Sequence, residues 1–209
     1  GFIGSNFILK LLEKDEFDIT NVDAELYGSN HENISKIKNS DKYNFVKGNI
    51  SNKKLMEEQI EKCDAVINFA AESHVDRSIN DANPFLVSNI RGAFTILDII
   101  TKQKKRMIQI STDEVFGSLI EGTANEQSKI NPSSPYAATK AAAELLINSY
   151  YTTFNSDVII KRILGRQTCS NCGLIFNVFF SPASKENHLC DSKFLERRSD
   201  DNEETITKR

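Results

Sequence analysis

Through residue 162 this chain alternates short β-rich apolar runs with helical stretches, and that alternation limits its folds more than any other feature. Ile19-Thr20-Asn21-Val22-Asp23, Asn44-Phe45-Val46-Lys47, Ala65-Val66-Ile67-Asn68-Phe69, Met107-Ile108-Gln109-Ile110-Ser111 and Val158-Ile159-Ile160 have the length and β-branched content of buried parallel strands. Helical patterns lie between them. They cover residues 4–14 after a Gly turn, 51–61 with Ser51 as N-cap, 84–101 with Ile90, Phe94 and Leu97 apolar, and the Ala- and Leu-rich 136–154. Strands and helices at this spacing predict right-handed βαβ crossovers, and so an α/β fold with a doubly wound parallel sheet.

The periodicity stops after Arg162. Residues 163–190 show no sustained pattern, and 11 of the last 19 residues are charged, so 163–209 is expected to be an irregular, disordered tail behind a nucleotide-binding domain at 1–162. Lys+Arg 26 against Asp+Glu 29 leaves a net charge of −3, which provides no overall basic field for nucleic acid or anionic lipid. The expected ligand is a small molecule. No apolar run approaches the roughly 20 residues of a membrane span and no leader is recognisable, so a cytoplasmic location without membrane contact is expected. The four cysteines do not form a disulfide framework. Cys169-x-x-Cys172 with His188 and Cys190 could supply four zinc ligands, but the second paired knuckle is missing and no metal is expected. The first residue is Gly1, which suggests a processed chain or a truncated gene.

Four segments carry chemistry. Gly1-Phe2-Ile3-Gly4-Ser5-Asn6 reads as the second half of a Gly-rich nucleotide loop, in which bare backbone approaches a pyrophosphate at a helix N-terminus. Asp23 ends the next strand 19 positions after Gly4, where a carboxylate accepts the adenosine ribose hydroxyls of NAD and repels the extra phosphate of NADP. Tyr136 and Lys140 stand at i and i+4 on one helix face, where the ammonium is expected to lower the phenol pKa. Ser111-Thr112-Asp113-Glu114 and Ala70-Ala71-Glu72-Ser73-His74-Val75-Asp76-Arg77-Ser78 each follow a strand, at the sheet edge where ligands bind. Two adjacent carboxylates beside a hydroxyl suit acid and base work, because environment can split their pKa values.

Gly-Phe-Ile-Gly-Ser-Asn, Asn-Val-Asp, Ala-Ala-Glu-Ser-His-Val-Asp-Arg-Ser, Ser-Thr-Asp-Glu-Val-Phe-Gly and Ser-Ser-Pro-Tyr-Ala-Ala-Thr-Lys, in this order, closely resemble the dTDP-glucose 4,6-dehydratases of the extended short-chain dehydrogenase/reductase family. The resemblance spans residues 1 to about 162 and implies a Rossmann-like sheet, here without its first strand. It also implies a tightly bound NAD+ held by Gly1, Phe2, Ile3, Gly4, Asp23, Asn49, Ile50, Ala70, Ala71, Asn89, Tyr136 and Lys140. By the same resemblance Ser73, His74 and Thr112 meet a nucleotide-sugar substrate, and a homodimer of the family type is implied. Asn49-Ile50 stands where the family usually has Asp-Ile. The implied reaction uses Tyr136 as base with Lys140 supporting it and Thr112 as hydroxyl partner, while hydride leaves C4 for the nicotinamide. Glu114 then removes the C5 proton, Asp113 protonates the departing C6 hydroxyl, and hydride returns to C6. After Lys161-Arg162 the family's sugar-binding region does not follow, so the chain as given is expected to be inactive. A nucleotide-sugar 4-epimerase shares the Tyr/Lys pair but needs no acid and base at C5 and C6, and Asp113-Glu114 discriminates against it. A non-catalytic remnant with a partial nucleotide cleft is the other alternative.

Overall fold

The computed structural model describes residues 1–118, 124, 125 and 127–163. The expected tail and its cysteine pair lie outside the described residues. The elements run α1 Phe2–Leu12, β1 Ile19–Asp23, a 3₁₀ turn His31–Ile37, β2 Tyr43–Lys47, α2 Lys53–Glu61, β3 Ala65–Asn68, α3 Val75–Asn80 and α4 Asn83–Phe85. A π-helical stretch Leu86–Gly92 leads into α5 Ala93–Gln103, followed by β4 Arg106–Thr112, a 3₁₀ turn Asp113–Phe116, α6 Pro135–Phe154 and β5 Val158–Ile163. Every strand pairing is parallel, as the alternation demanded.

The strands form two sheets, β1-β2 and β3-β4-β5. β4 is central in the larger one and buried from Met107 to Thr112, so its apolar run is continuous rather than alternating. Ile96, Leu97, Ile99 and Ile100 of α5 pack there with Met56 and Ile60 of α2, Met107 and Ile147, forming the main core. Gly92 permits this packing, since a Cβ there would lie 2.5 Å from Ile50 Cδ1. α1 ties the two sheets together. The Phe7 ring stands 5.1 Å from that of Phe69, and Gly4 faces Phe69 Cβ at 3.5 Å from where its own Cβ would be.

Local signals were mostly read correctly, with one cap misplaced. α2 opens on Asn52, whose Oδ1 accepts the Leu55 N–H, rather than on Ser51. Ser51 instead donates its N–H and hydroxyl to Asn49 Oδ1. Asn and Ser are equally good caps, so adjacent ones leave the choice to the turn before them.

Candidate active site

Parallel strands bring their carboxyl ends to one edge of each sheet, which places Asp23 at that edge of the smaller sheet and the loop after β3 and the turn after β4 at that edge of the larger one. α6 meets that edge with its first turns. Ser134 caps it by accepting the Ala137 N–H at 3.1 Å, and Pro135 fits the first turn because it has no N–H to lose. The buried Ser78 hydroxyl accepts the Tyr136 N–H at 3.1 Å and donates to the Val75 carbonyl at 2.6 Å, which fixes the helix start against α3. Ser78 was visible in sequence only as a motif member, and nothing there indicated that it holds Tyr136.

Tyr136 and Lys140 are both buried. The Lys140 ammonium donates to the Ile110 carbonyl at 2.7 Å, and Gln109 Nε2 donates to the same oxygen at 3.0 Å. Gln109 Oε1 accepts from Asn68 Nδ2 at 2.9 Å, and Asn68 Oδ1 accepts the Ala70 N–H at 3.1 Å. A buried polar chain therefore runs from the loop after β3 to the lysine. Burial lowers the Lys140 pKa to about 8 against an upward pull from Glu144. For Tyr136 the expectation of a lowered phenol pKa is corrected. Burial first, then the Glu114 charge, pushes the phenol up to about 12, while a hydrogen bond with Thr112 opposes them. Desolvation of the anion outweighs the expected help from the neighbouring lysine.

The turn after β4 supplies the remaining groups. The buried Thr112 hydroxyl accepts the Glu114 N–H at 3.2 Å and donates to Asp113 Oδ1 at 3.2 Å. Burial first, then the Asp113 charge, raises the Glu114 pKa, which makes this carboxylate a better proton acceptor than a free one. Thr112, Asp113, Glu114 and Tyr136 thus meet in one cluster. Ser111 adds a buried hydroxyl with no hydrogen-bond partner among the described residues. Alternation along β4 could have flagged it, because Ser111 and Thr112 point to opposite faces.

The remaining site residues divide by environment. Ser73 and His74 are exposed, and Ala70 and Ala71 half-buried. His74 packs edge-on against Tyr27, whose ring lies 4.0 Å under the Arg77 guanidinium; Arg77 in turn pairs with the buried Glu72 at 2.9 Å. Asn89, in the π-helical stretch, accepts the Glu72 N–H and donates to the Glu72 carbonyl and Thr139 Oγ1, each at 2.9 Å. Its amide is committed to holding the loop. Asn49 Oδ1 serves its own turn, and Ile50 is buried against Gly92.

The fit to a dinucleotide rests on the other sheet. α1 opens on Gly1 without a side-chain cap or an acidic residue in its first turn, and a Cβ on Gly1 would meet nothing within 4 Å. Phe2 is exposed and Ile3 half-buried in that turn. The Asp23 carboxylate lies 3.4 Å from the Gly1 nitrogen. A helix N-terminus beside a strand-end carboxylate suits a pyrophosphate and its ribose. Among the described residues no group of three or more His, Cys, Asp or Glu could hold a metal ion, and no helix is long and apolar enough to cross a membrane.

The sequence profile of the GDP-mannose 4,6 dehydratase family matches residues 1–170. The low-salt glycan biosynthesis protein Agl12 of Haloferax volcanii is 40% identical over 174 residues, which cover 83% of this chain and 54% of that protein. A dTDP-glucose 4,6-dehydratase of Mycolicibacterium smegmatis is 39% identical over 176 residues, covering 82% and 50%. DesIV, a dTDP-glucose 4,6-dehydratase of Streptomyces venezuelae solved with NAD bound, superposes with a TM-score of 0.75 at 37% identity, covering 78% of this chain and 52% of its own. A UDP-glucuronic acid 4-epimerase of Bacillus cereus, solved with NAD and UDP-glucuronic acid, gives 0.73 at 27% identity, covering 78% and 53%. The chain spans about half the length of the curated relatives it matches. It belongs to the GDP-mannose 4,6 dehydratase family.

Proposed function

We propose, from that family membership, that the protein is an NAD-dependent nucleotide-sugar 4,6-dehydratase acting on dTDP-glucose or a close relative. The observation that carries this reading is the carboxylate pair Asp113-Glu114 beside Tyr136, close enough for the Glu114 charge to act on the phenol. A 4-epimerase would have no use for that pair.

Bound NAD+ would take hydride from the sugar C4 and return it at C6, with no net redox change. Tyr136 takes the O4 proton, assisted by the Thr112 hydroxyl, while Lys140 holds positive charge one helical turn away. The C4 ketone acidifies the C5 proton, which passes to Glu114. Asp113 protonates the C6 oxygen as the C–O bond breaks and water leaves, and Glu114 returns its proton to C5. The proton gained by Tyr136 balances the one given by Asp113. Gly1 to Gly4, Asp23, Asn49, Ile50, Ala70, Ala71 and Asn89 form the cofactor side of this proposal, with Ser73 and His74 on the sugar side. Asp23 sets NAD+ above NADP+. A homodimer would cover the exposed Phe94 and Phe154 rings, which lie 6.2 and 4.9 Å from the half-buried Tyr150 ring.

Rapid-quench analysis of sugar intermediates tests the assignment. Asp113→Asn and Glu114→Gln are expected to slow elimination by about 10²- to 10⁴-fold while C4 oxidation persists, and Tyr136→Phe to block oxidation itself. Carboxylate variants that stop oxidation as fully as Tyr136→Phe, or a C4-epimerised product from the unaltered protein, would overturn it.

A further inference from the structure

Glu144 is wholly buried on α6, one turn beyond Lys140 and two beyond Tyr136. Arg162 of β5 grips it with both nitrogens, Nε at 3.0 and 3.2 Å from the two carboxylate oxygens and Nη2 at 2.6 Å. In the sheet, Arg162 stands opposite Ser111, one residue before Thr112. Its guanidinium also covers the Phe116 ring at 4.9 Å, and Phe116 packs with Val115 and Ala141, the residue after Lys140. This ion pair therefore touches α6, β5 and the Asp113–Phe116 turn, the three elements that carry or border the proposed chemistry.

An ion pair with one partner wholly buried and the other half-buried needs a reason. Removing two charges from water costs about as much as their attraction returns, so an apolar pair of equal volume would hold these elements together equally well. What an apolar pair cannot supply is a fixed negative charge next to Lys140.

We propose that Glu144 and Arg162 are positioning residues for the site: the pair locks α6 to the Asp113–Phe116 turn, and Glu144 supplies the negative charge that Lys140 faces. The proposal rests on the dehydratase reading only in calling the site catalytic. The ionisable groups around Tyr136 and Lys140 are Glu144 on the same helix, Asp113 and Glu114 on the turn, and Arg162 on β5. Of these, Glu144 is the one whose charge raises the Lys140 pKa, against the burial that lowers it. Arg162 tempers that charge, so the two partners act on Lys140 with opposite signs.

The test needs neither cofactor nor substrate, so its failure and that of the dehydratase reading are separable. In the full chain labelled with ¹³C-lysine, the Lys140 resonance is identified by its loss in Lys140→Met and titrated by NMR. Its midpoint is expected near 8 in the unaltered chain. Glu144→Gln should lower that midpoint by about one unit, and Arg162→Gln should raise it. A variant carrying both Glu144→Met and Arg162→Met leaves no unpaired charge and should fold with a lowered midpoint. If both single variants shift the midpoint in the same direction, or folded variants leave it unmoved, the proposal is wrong. Loss of cooperative unfolding in the double variant would also overturn it, because the pair would then serve the fold alone.

Discussion

The two sheets of this molecule have the same parallel geometry and very different surroundings. In β4 six of seven residues are buried, whereas none of the ten in β1 and β2 is, so the larger sheet runs through the core and the smaller one borders it through half-buried Val22. Of the groups proposed to do chemistry, Thr112, Tyr136 and Lys140 are buried, where Asn68, Gln109 and Ser78 fix their supports, while Asp113 is half-buried and Glu114 exposed beside them. The groups proposed to meet the adenosine end, Gly1 and Asp23, stand on the other sheet and are joined to the larger one by α1 and the Phe7–Phe69 contact. The division suits the reaction. Proton transfer demands fixed geometry, while a bound dinucleotide can order its own site through binding energy.

Truncation in the core should expose the contrast most strongly. Ile100→Ala, at a wholly buried position, is expected to cost about 3 to 4 kcal/mol in denaturant unfolding, and Val22→Ala on β1 about 1 kcal/mol. Equal losses would mean that Val22, which borders the core from β1, is packed as tightly as its centre. The hydrogen-bonding counterpart is Asn89→Ala, which strands the Glu72 backbone and should cost about 2 to 3 kcal/mol. Asn21→Ala, which frees only the half-buried Tyr43 hydroxyl, should cost less than about 1 kcal/mol.

A further effect, spread over several pH units, should appear in the pH dependence of stability. The folded chain releases the Lys140 proton at about 8, before the unfolded chain does at the ordinary lysine value of 10.5, so stability should rise with pH across that interval. Tyr136 acts oppositely. The unfolded phenol ionises near 10 and the folded one at about 12, so stability should fall as pH climbs from 10 to 12. Each limb is expected to span on the order of 3 kcal/mol, at about 1.4 kcal/mol per pKa unit. Lys140→Met should flatten the first limb and Tyr136→Phe the second, whereas substitutions of exposed lysines such as Lys10 should leave both in place.

Much of this arrangement was legible in the residues. Apolar period located the five described strands within a few residues, and the motifs at their ends placed Asp23 and Thr112 at the carboxyl ends of β1 and β4. Pairing was less legible, because a hydrophobic run says that a strand is buried and not which neighbour it bonds; the separation of β1-β2 from β3-β4-β5 is therefore a structural finding. The π-helical stretch has no composition of its own, so the placement of Asn89 against Glu72 and Thr139 could not be read from 84–101. Glu144 and Arg162 are 18 residues apart on different elements, and only folding makes them partners. The phenol pKa was misjudged because spacing reveals a nearby cation but not the depth of burial.

Native-state hydrogen exchange tests the division between the sheets most directly. Amides of β4 and α5 are expected to exchange only through global unfolding, and those of β1 and β2 through local opening on the order of a hundredfold faster. Saturating NAD+ should slow β1 and β2 while leaving β4 unchanged. If β1 and β2 proved as protected as β4 before any ligand is added, the account of a fixed catalytic half and a softer cofactor half would be contradicted.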